Sequence, residues 1–94
     1  MAKLSVVIVC CNEEEILDKC LAAVQWADEI VVVDSFSTDR TVEIARHYTT
    51  RVFQNEWQGY AQQKTLALSH ASHSWILSLD ADEISAVIFL RRAI

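Results

Sequence analysis

The sequence predicts an α/β fold: a parallel sheet with helices on both faces. Three observations point there. Stretches such as Leu4-Ser5-Val6-Val7-Ile8-Val9 are rich in β-branched residues and lack the polar alternation of a half-solvated strand. Amphipathic helical patterns separate these stretches, and the resulting order β-α-β-α-β-α-β belongs to parallel strands joined by right-handed crossovers. The chain has 94 residues, 52% of them hydrophobic, which fits one globular domain and excludes a disordered tail.

The first strand is expected over Lys3–Cys11. Asn12 then suits a helix N-cap, with Glu15 three residues on in the manner of a capping box. Glu13 and Glu14 add negative charge where the helix dipole favours it. This helix should run to about Gln25, with Ile16, Leu17, Cys20, Leu21 and Val24 on one face. Ile30–Val33 reads as a second buried strand, ended by Asp34 and a polar loop, Ser35–Thr38. A second helix follows from about Asp39 to Tyr48, with Val42, Ala45 and Tyr48 inward. Arg51–Gln54 is a weaker strand. Glu56–Tyr60 is a loop with the sole glycine, Gly59, and Ala61–Ala71 is a third helix. Trp75–Leu79 is a fourth strand, closing on Asp80-Ala81-Asp82-Glu83. From Ser85 the apolar residues are continuous. A helix is expected there, with a strand as the alternative.

Composition narrows the chemistry. The net charge is −5 and no basic stripe exists, which disfavours nucleic acid as a partner. An acidic protein that binds a phosphate-bearing ligand generally needs a metal ion between the two sets of negative charge. One glycine and no proline leave no glycine-rich phosphate loop. The longest apolar runs fall well short of the roughly 20 residues that cross a bilayer. Three cysteines, two of them adjacent (Cys10 and Cys11), read as reduced thiols in a cytoplasmic setting, with one of the adjacent pair in the core. His47, His70 and His73 are scattered, belong to the surface or to helix ends, and show no metal-ligand spacing.

Parallel sheets bind ligands outside the carboxyl ends of their strands. Those ends carry Cys10, Cys11, Asn12 and Glu13 from the first strand, Asp34, Ser35 and Ser37 from the second, and Asp80, Asp82 and Glu83 from the fourth. Carboxylates brought together repel, so a cation among them is expected. Asp80 and Asp82, two apart on an extended segment, suit Mg²⁺ or Mn²⁺, with phosphates and waters completing the shell. Asp34 can serve a nucleotide base or act only as a turn acid for the loop that follows. Lys64, early in the third helix, carries a positive charge useful beside a diphosphate, although most lysines so placed are simply solvated.

Four blocks of the chain together resemble a known family. They are Leu4–Val9 with Asn12-Glu13-Glu14, Trp26–Ser35, Ser37–Thr41, and Trp75–Glu83. They are similar to the start of a family 2 glycosyltransferase with the Rossmann-like GT-A fold, nearest to bacterial enzymes that add a sugar to the lipopolysaccharide core. The resemblance implies that Asp34 contacts the nucleotide base and that Cys11, Asn12 and Glu13 border base and ribose. It implies that Lys64 lies near the nucleotide, that Asp80 contacts the ribose and the metal, and that Asp82 is the main metal ligand. It implies an inverting transfer from a nucleotide sugar, UDP-linked in expectation, to a saccharide or glycolipid acceptor. Phe36 and Thr65 depart from the family pattern, as does Cys10-Cys11. Phe36 stands where glycine is usual, and a glycine permits positive φ, so a repacked loop is expected there.

The family's catalytic base and acceptor site correspond to positions beyond residue 94. The expectation is therefore a donor-binding part, residues 1–94, truncated from a longer domain, with no catalytic residue of its own and no activity alone. It is placed in the cytoplasm or at the inner face of the membrane. An open edge on the fourth strand is expected to drive self-association. Two rival readings are a phosphatase using Asp80 as nucleophile, which would need the motif on its first strand, and a non-catalytic interaction module.

Overall fold

A computed structural model of the chain describes residues 3–80 and 83–91. The elements are β1 (Leu4–Cys10), α1 (Glu14–Ala23), β2 (Glu29–Asp34), α2 (Thr41–Arg46), β3 (Val52–Gln54), α3 (Tyr60–His70), β4 (Trp75–Asp80) and β5 (Glu83–Arg91). They form one sheet in the order β3-β2-β1-β4-β5. The first four strands are mutually parallel and β5 runs antiparallel to β4.

Strand residues alternate between two cores, as the period of two demands. Val6, Ile8, Cys10, Val32, Leu77 and Leu79 join Leu17, Cys20 and Leu21 of α1 and Ala45 of α2. Val7, Val9, Val31, Val33 and Ile76 face Ala67 of α3, and Ala71 just beyond it. Helices thus cover both faces, and the α/β expectation holds. Near-continuous apolar strands are the sequence signature of that double burial.

The differences are local and have physical causes. The segment after Ser85 is a strand, not a helix, and pairs Ile76 with Leu90 and Leu77 with Phe89. The edge of β4 expected to be open is therefore paired, and that ground for self-association falls away. An unbroken apolar run carries no period to separate helix from strand, and Ile84, Val87, Ile88 and Phe89 favour the extended form.

The capping box at Asn12 does not form. The residue before α1 is Glu13, without a side-chain cap. Asn12 instead takes a left-handed backbone, φ 53°, and its side-chain carbonyl accepts the Thr38 N–H at 2.8 Å. The neighbouring loop competes for the amide and wins. The start of α1 is completed from a distance: Glu13 N–H donates to Thr41 Oγ1 at 2.8 Å and Glu14 N–H to Asp39 Oδ2 at 3.3 Å. Burial pushes the Asp39 carboxyl up, but hydrogen bonds from Thr41 and Glu14 outweigh it and hold the group below the ordinary range. Gly59 precedes α3 at φ 102°. A Cβ there would meet nothing, so conformation, not space, asks for glycine.

A second polar knot lies at the opposite end of the strands. Glu29 accepts hydrogen bonds from Ser5 Oγ at 2.7 Å, Ser72 N–H at 2.8 Å and Ser72 Oγ at 2.8 Å. It also pairs with Arg51 Nε at 3.2 Å. One carboxylate so ties β1, β2 and the segments before β3 and β4 together.

Candidate functional site

The tips of β2, β1 and β4 lie side by side. Cys10 pairs with Asp34, and Val9 with Asp80, so the end of β1 stands between the two acids. The chain also reverses its march across the sheet there. α1 and α2 carry it outward from β1 to β3, and α3 returns it to β4. Such a switch point opens a crevice beyond the strand ends.

Asp34 is fully buried. Its Oδ2 accepts the Ser37 N–H at 2.8 Å and the Gln54 amide at 3.5 Å. Its Oδ1 accepts the Ser37 hydroxyl and, at 3.6 Å, the Cys10 thiol. Burial, then the Asp34 charge, pushes the Cys10 thiol far up from its ordinary value. The Asp34 carboxylate organises the 35–38 loop as a turn acid does.

Cys11 and Asn12 gather around that same loop, and Glu13 reaches Thr41 just beyond it. The exposed Cys11 thiol donates to the Ser35 carbonyl at 3.5 Å. Asn12 N–H donates to Ser37 Oγ at 2.7 Å. Of the expected residues, then, Cys11, Asn12, Glu13 and Asp34 form one cluster. Lys64 stands apart on the α3 side, where its Nζ donates to Ser78 Oγ at 3.4 Å, two residues before Asp80. Asp80 is the last residue of β4. Asp82 lies outside the described residues. Among the described residues, no group of three or more His, Cys, Asp or Glu is arranged around a metal position. One or two carboxylates at a strand tip, completed by phosphate oxygens and water, nonetheless match the donor set that Mg²⁺ and Mn²⁺ take. Since Asp80 closes the fourth strand, the requirement of the phosphatase reading for a first-strand acid is not met.

Phe36 takes a left-handed backbone, φ 50°, the region that glycine enters without strain. The residue is 58% exposed.

Ser37 was legible at the tip of the second strand but not in its role, and Gln63 escaped sequence reasoning. Ser37 links Asn12 to Asp34. Gln63, fully buried on α3, donates to Ser35 Oγ at 2.8 Å and accepts from Asn55 Nδ2 at 3.1 Å, joining the loops after β2 and β3. The signal for Gln63 was its spacing: it precedes Ala67 and Ala71 by four and eight residues, on the inward stripe of the helix. His70 stacks on Phe53 with ring centroids 3.8 Å apart, a packing role at a helix end.

Clefts lined by described residues border the sheet. One of about 180 Å³ lies beside Asn12, Glu13, Glu14 and Asp39. A wider one, about 560 Å³, lies by Asp28, Glu29, Arg51 and Ser72, at the strand starts. Its central polar groups bind one another through Glu29, and no strand end delivers chemistry there. Size is the weaker guide, and the switch point is the better candidate.

Comparison with known proteins bears on the whole arrangement. The model of the family described as Glycosyl transferase family 2 matches residues 5–94. The lipopolysaccharide core biosynthesis glycosyltransferase LpsC of Rhizobium meliloti is 42% identical over 85 residues, covering 85% of this chain and 32% of the relative. An uncharacterized glycosyltransferase of Rickettsia felis is 42% identical over 84 residues, covering 88% of this chain and 30% of the relative. The chain therefore spans about a third of the length of these curated relatives. Among solved structures, glucosyl-3-phosphoglycerate synthase from Mycobacterium tuberculosis, in complex with Mg²⁺ and UDP, superposes with a TM-score of 0.75 at 24% identity. That match covers 85% of this chain and 33% of the synthase. This likeness is one of fold, with the GT-A arrangement on both sides.

Proposed function

The chain belongs to glycosyl transferase family 2, and on that premise we propose that it is the donor-binding part of an inverting, metal-assisted glycosyltransferase. The donor is a nucleotide sugar, UDP-linked in this reading, and the acceptor a saccharide or glycolipid such as a lipopolysaccharide core. The name of the Rhizobium meliloti relative and the UDP complexes of the Mycobacterium tuberculosis synthase support those choices. One observation carries the proposal: Asp34 and Asp80 flank the tip of β1 at the switch point.

In this reading Asp34 receives an N–H of the nucleobase. A carboxylate offers about four lone-pair sites. All four have donors here, but the Gln54 amide at 3.5 Å and the Cys10 thiol at 3.6 Å sit at the outer limit of hydrogen bonding. A base N–H displaces the Gln54 amide most readily. Cys11, Asn12 and Glu13 form the rim beside base and ribose. Asp80 and Asp82 hold Mg²⁺ or Mn²⁺, with Asp82 the principal ligand. When bound, the ion supplies Lewis-acid stabilisation to the departing diphosphate. Lys64, on the α3 side of β4, adds a positive charge along the same strand end.

The base that deprotonates the acceptor hydroxyl is not among residues 1–94 in this reading, and the isolated chain transfers no sugar. Among the described residues no helix is long and apolar enough to cross a membrane. The proposal places the protein in the cytoplasm or at the inner membrane face.

Calorimetric titration of the chain with UDP, with and without Mn²⁺, tests the reading. Mn²⁺-dependent binding that falls at least ten-fold in Asp82→Ala is expected. Failure of the unaltered chain to bind UDP with Mn²⁺ present overturns it.

A further inference from the structure

Phe36 combines two features that oppose stability. Its backbone lies in the left-handed region, φ 50°, which an L side chain with a Cβ disfavours. The residue is 58% exposed, so burial returns little.

The strain cannot relax, because both neighbours are fastened. Ser35 N–H donates to the Cys10 carbonyl at 3.1 Å, and Ser35 Oγ accepts from the buried Gln63 amide at 2.8 Å. Ser37 N–H and its hydroxyl both donate to Asp34, while Ser37 Oγ accepts the Asn12 N–H. An aromatic ring is thus presented from a fixed backbone, two residues after the buried acid, at the ligand-bearing edge of the sheet. Strain that the surroundings over-determine gathers at functional sites. A flat apolar ring held in water suits the flat face of another ring.

We propose that Phe36 supplies the stacking surface for the nucleobase of the donor. The inference rests on the donor-site reading above and adds the group that recognises the base by its face, while Asp34 meets its edge. Stacking tolerates any base, so Phe36 contributes affinity for nucleotides over bare diphosphate, and Asp34 contributes the choice among bases.

The test compares Phe36→Gly, Phe36→Ala and Phe36→Tyr with the unaltered chain, each titrated with UDP and with inorganic pyrophosphate in the presence of Mn²⁺. Phe36→Gly and Phe36→Ala are expected to weaken UDP binding roughly ten-fold and to leave pyrophosphate binding unchanged. Phe36→Tyr is expected to stay within about two-fold of the unaltered chain, because its ring is retained. Phe36→Gly is also expected to raise the thermal midpoint by about 4–8 °C, since glycine accepts the backbone without strain. Stability and affinity then move in opposite directions, which no purely structural role produces. UDP affinity that ignores the loss of the ring, or an equal loss for pyrophosphate, overturns the inference alone. No UDP binding by the unaltered chain overturns the donor reading and the stacking role together.

Discussion

Replacing Glu29 with alanine removes the acceptor on which four segments converge. The lost contacts are three hydrogen bonds, from Ser5 Oγ, Ser72 N–H and Ser72 Oγ, and the ion pair to Arg51. Hydrogen bonds to a charged group contribute roughly 1.5–3 kcal/mol each when partners are left unpaired, and less when water can replace the acceptor. Ser72 is exposed and regains water. Ser5 is fully buried and keeps only its acceptor role toward His73 N–H at 3.3 Å. Arg51 is 41% exposed, so its pair adds at most about 1 kcal/mol. The sum expected for Glu29→Ala is about 3 kcal/mol, a large share of the roughly 5–15 kcal/mol of a small domain. Equilibrium urea unfolding measures it. With a slope near 1.5 kcal/mol/M, the midpoint should fall by about 2 M at unchanged slope. Glu29→Gln keeps one carbonyl acceptor and should lose about half as much. A loss below about 1 kcal/mol for the alanine variant would show that the knot is incidental and refute the reasoning.

The same carboxylate makes stability depend on pH. Burial pushes Glu29 up, but the hydrogen bonds from Ser72 and Ser5, with the Arg51 charge, outweigh it and hold the group below its ordinary range. A depressed folded value means that the contribution is present above the unfolded value, near 4.3, and lost as pH falls through the folded one. Urea midpoints should stay level from about pH 7 to 5 and drop below about 4, with a shallower drop in Glu29→Gln. Thiol reactivity should single out Cys11. It is exposed, whereas burial pushes both Cys10 and Cys20 up and away from the reactive thiolate. Brief alkylation of the native chain, read by peptide mass mapping, should mark Cys11 alone. Equal labelling of Cys10 would contradict its buried pairing with Asp34.

The sequence exposed the sheet because double burial writes itself as unbroken Val and Ile, and β1, β2 and β4 lie within about a residue of their expected bounds. β5 was hidden by the same property: a run without polar residues has no phase. The acids at the strand tips were legible because chain order alone sends Asp34 and Asp80 to one end of the sheet. What each side chain binds was not. Asn12 looked like a cap because capping is judged from local spacing, yet its partner Thr38 is 26 residues away. The spacing of Gln63 marked it as inward, but its role was hidden because a buried amide is justified only by partners in two distant loops.

The borrowed closure at the head of α1 decides where a diphosphate can be received. In many nucleotide-binding sheets the unpaired amides of the first helix cradle the phosphates. Here Thr41 and Asp39 already occupy the amides of Glu13 and Glu14, and Glu14, Glu15 and Asp39 surround them with negative charge. A phosphate approaching that helix meets repulsion and two amides already taken, so the proposed donor reading shelters its pyrophosphate further across the sheet, toward β4.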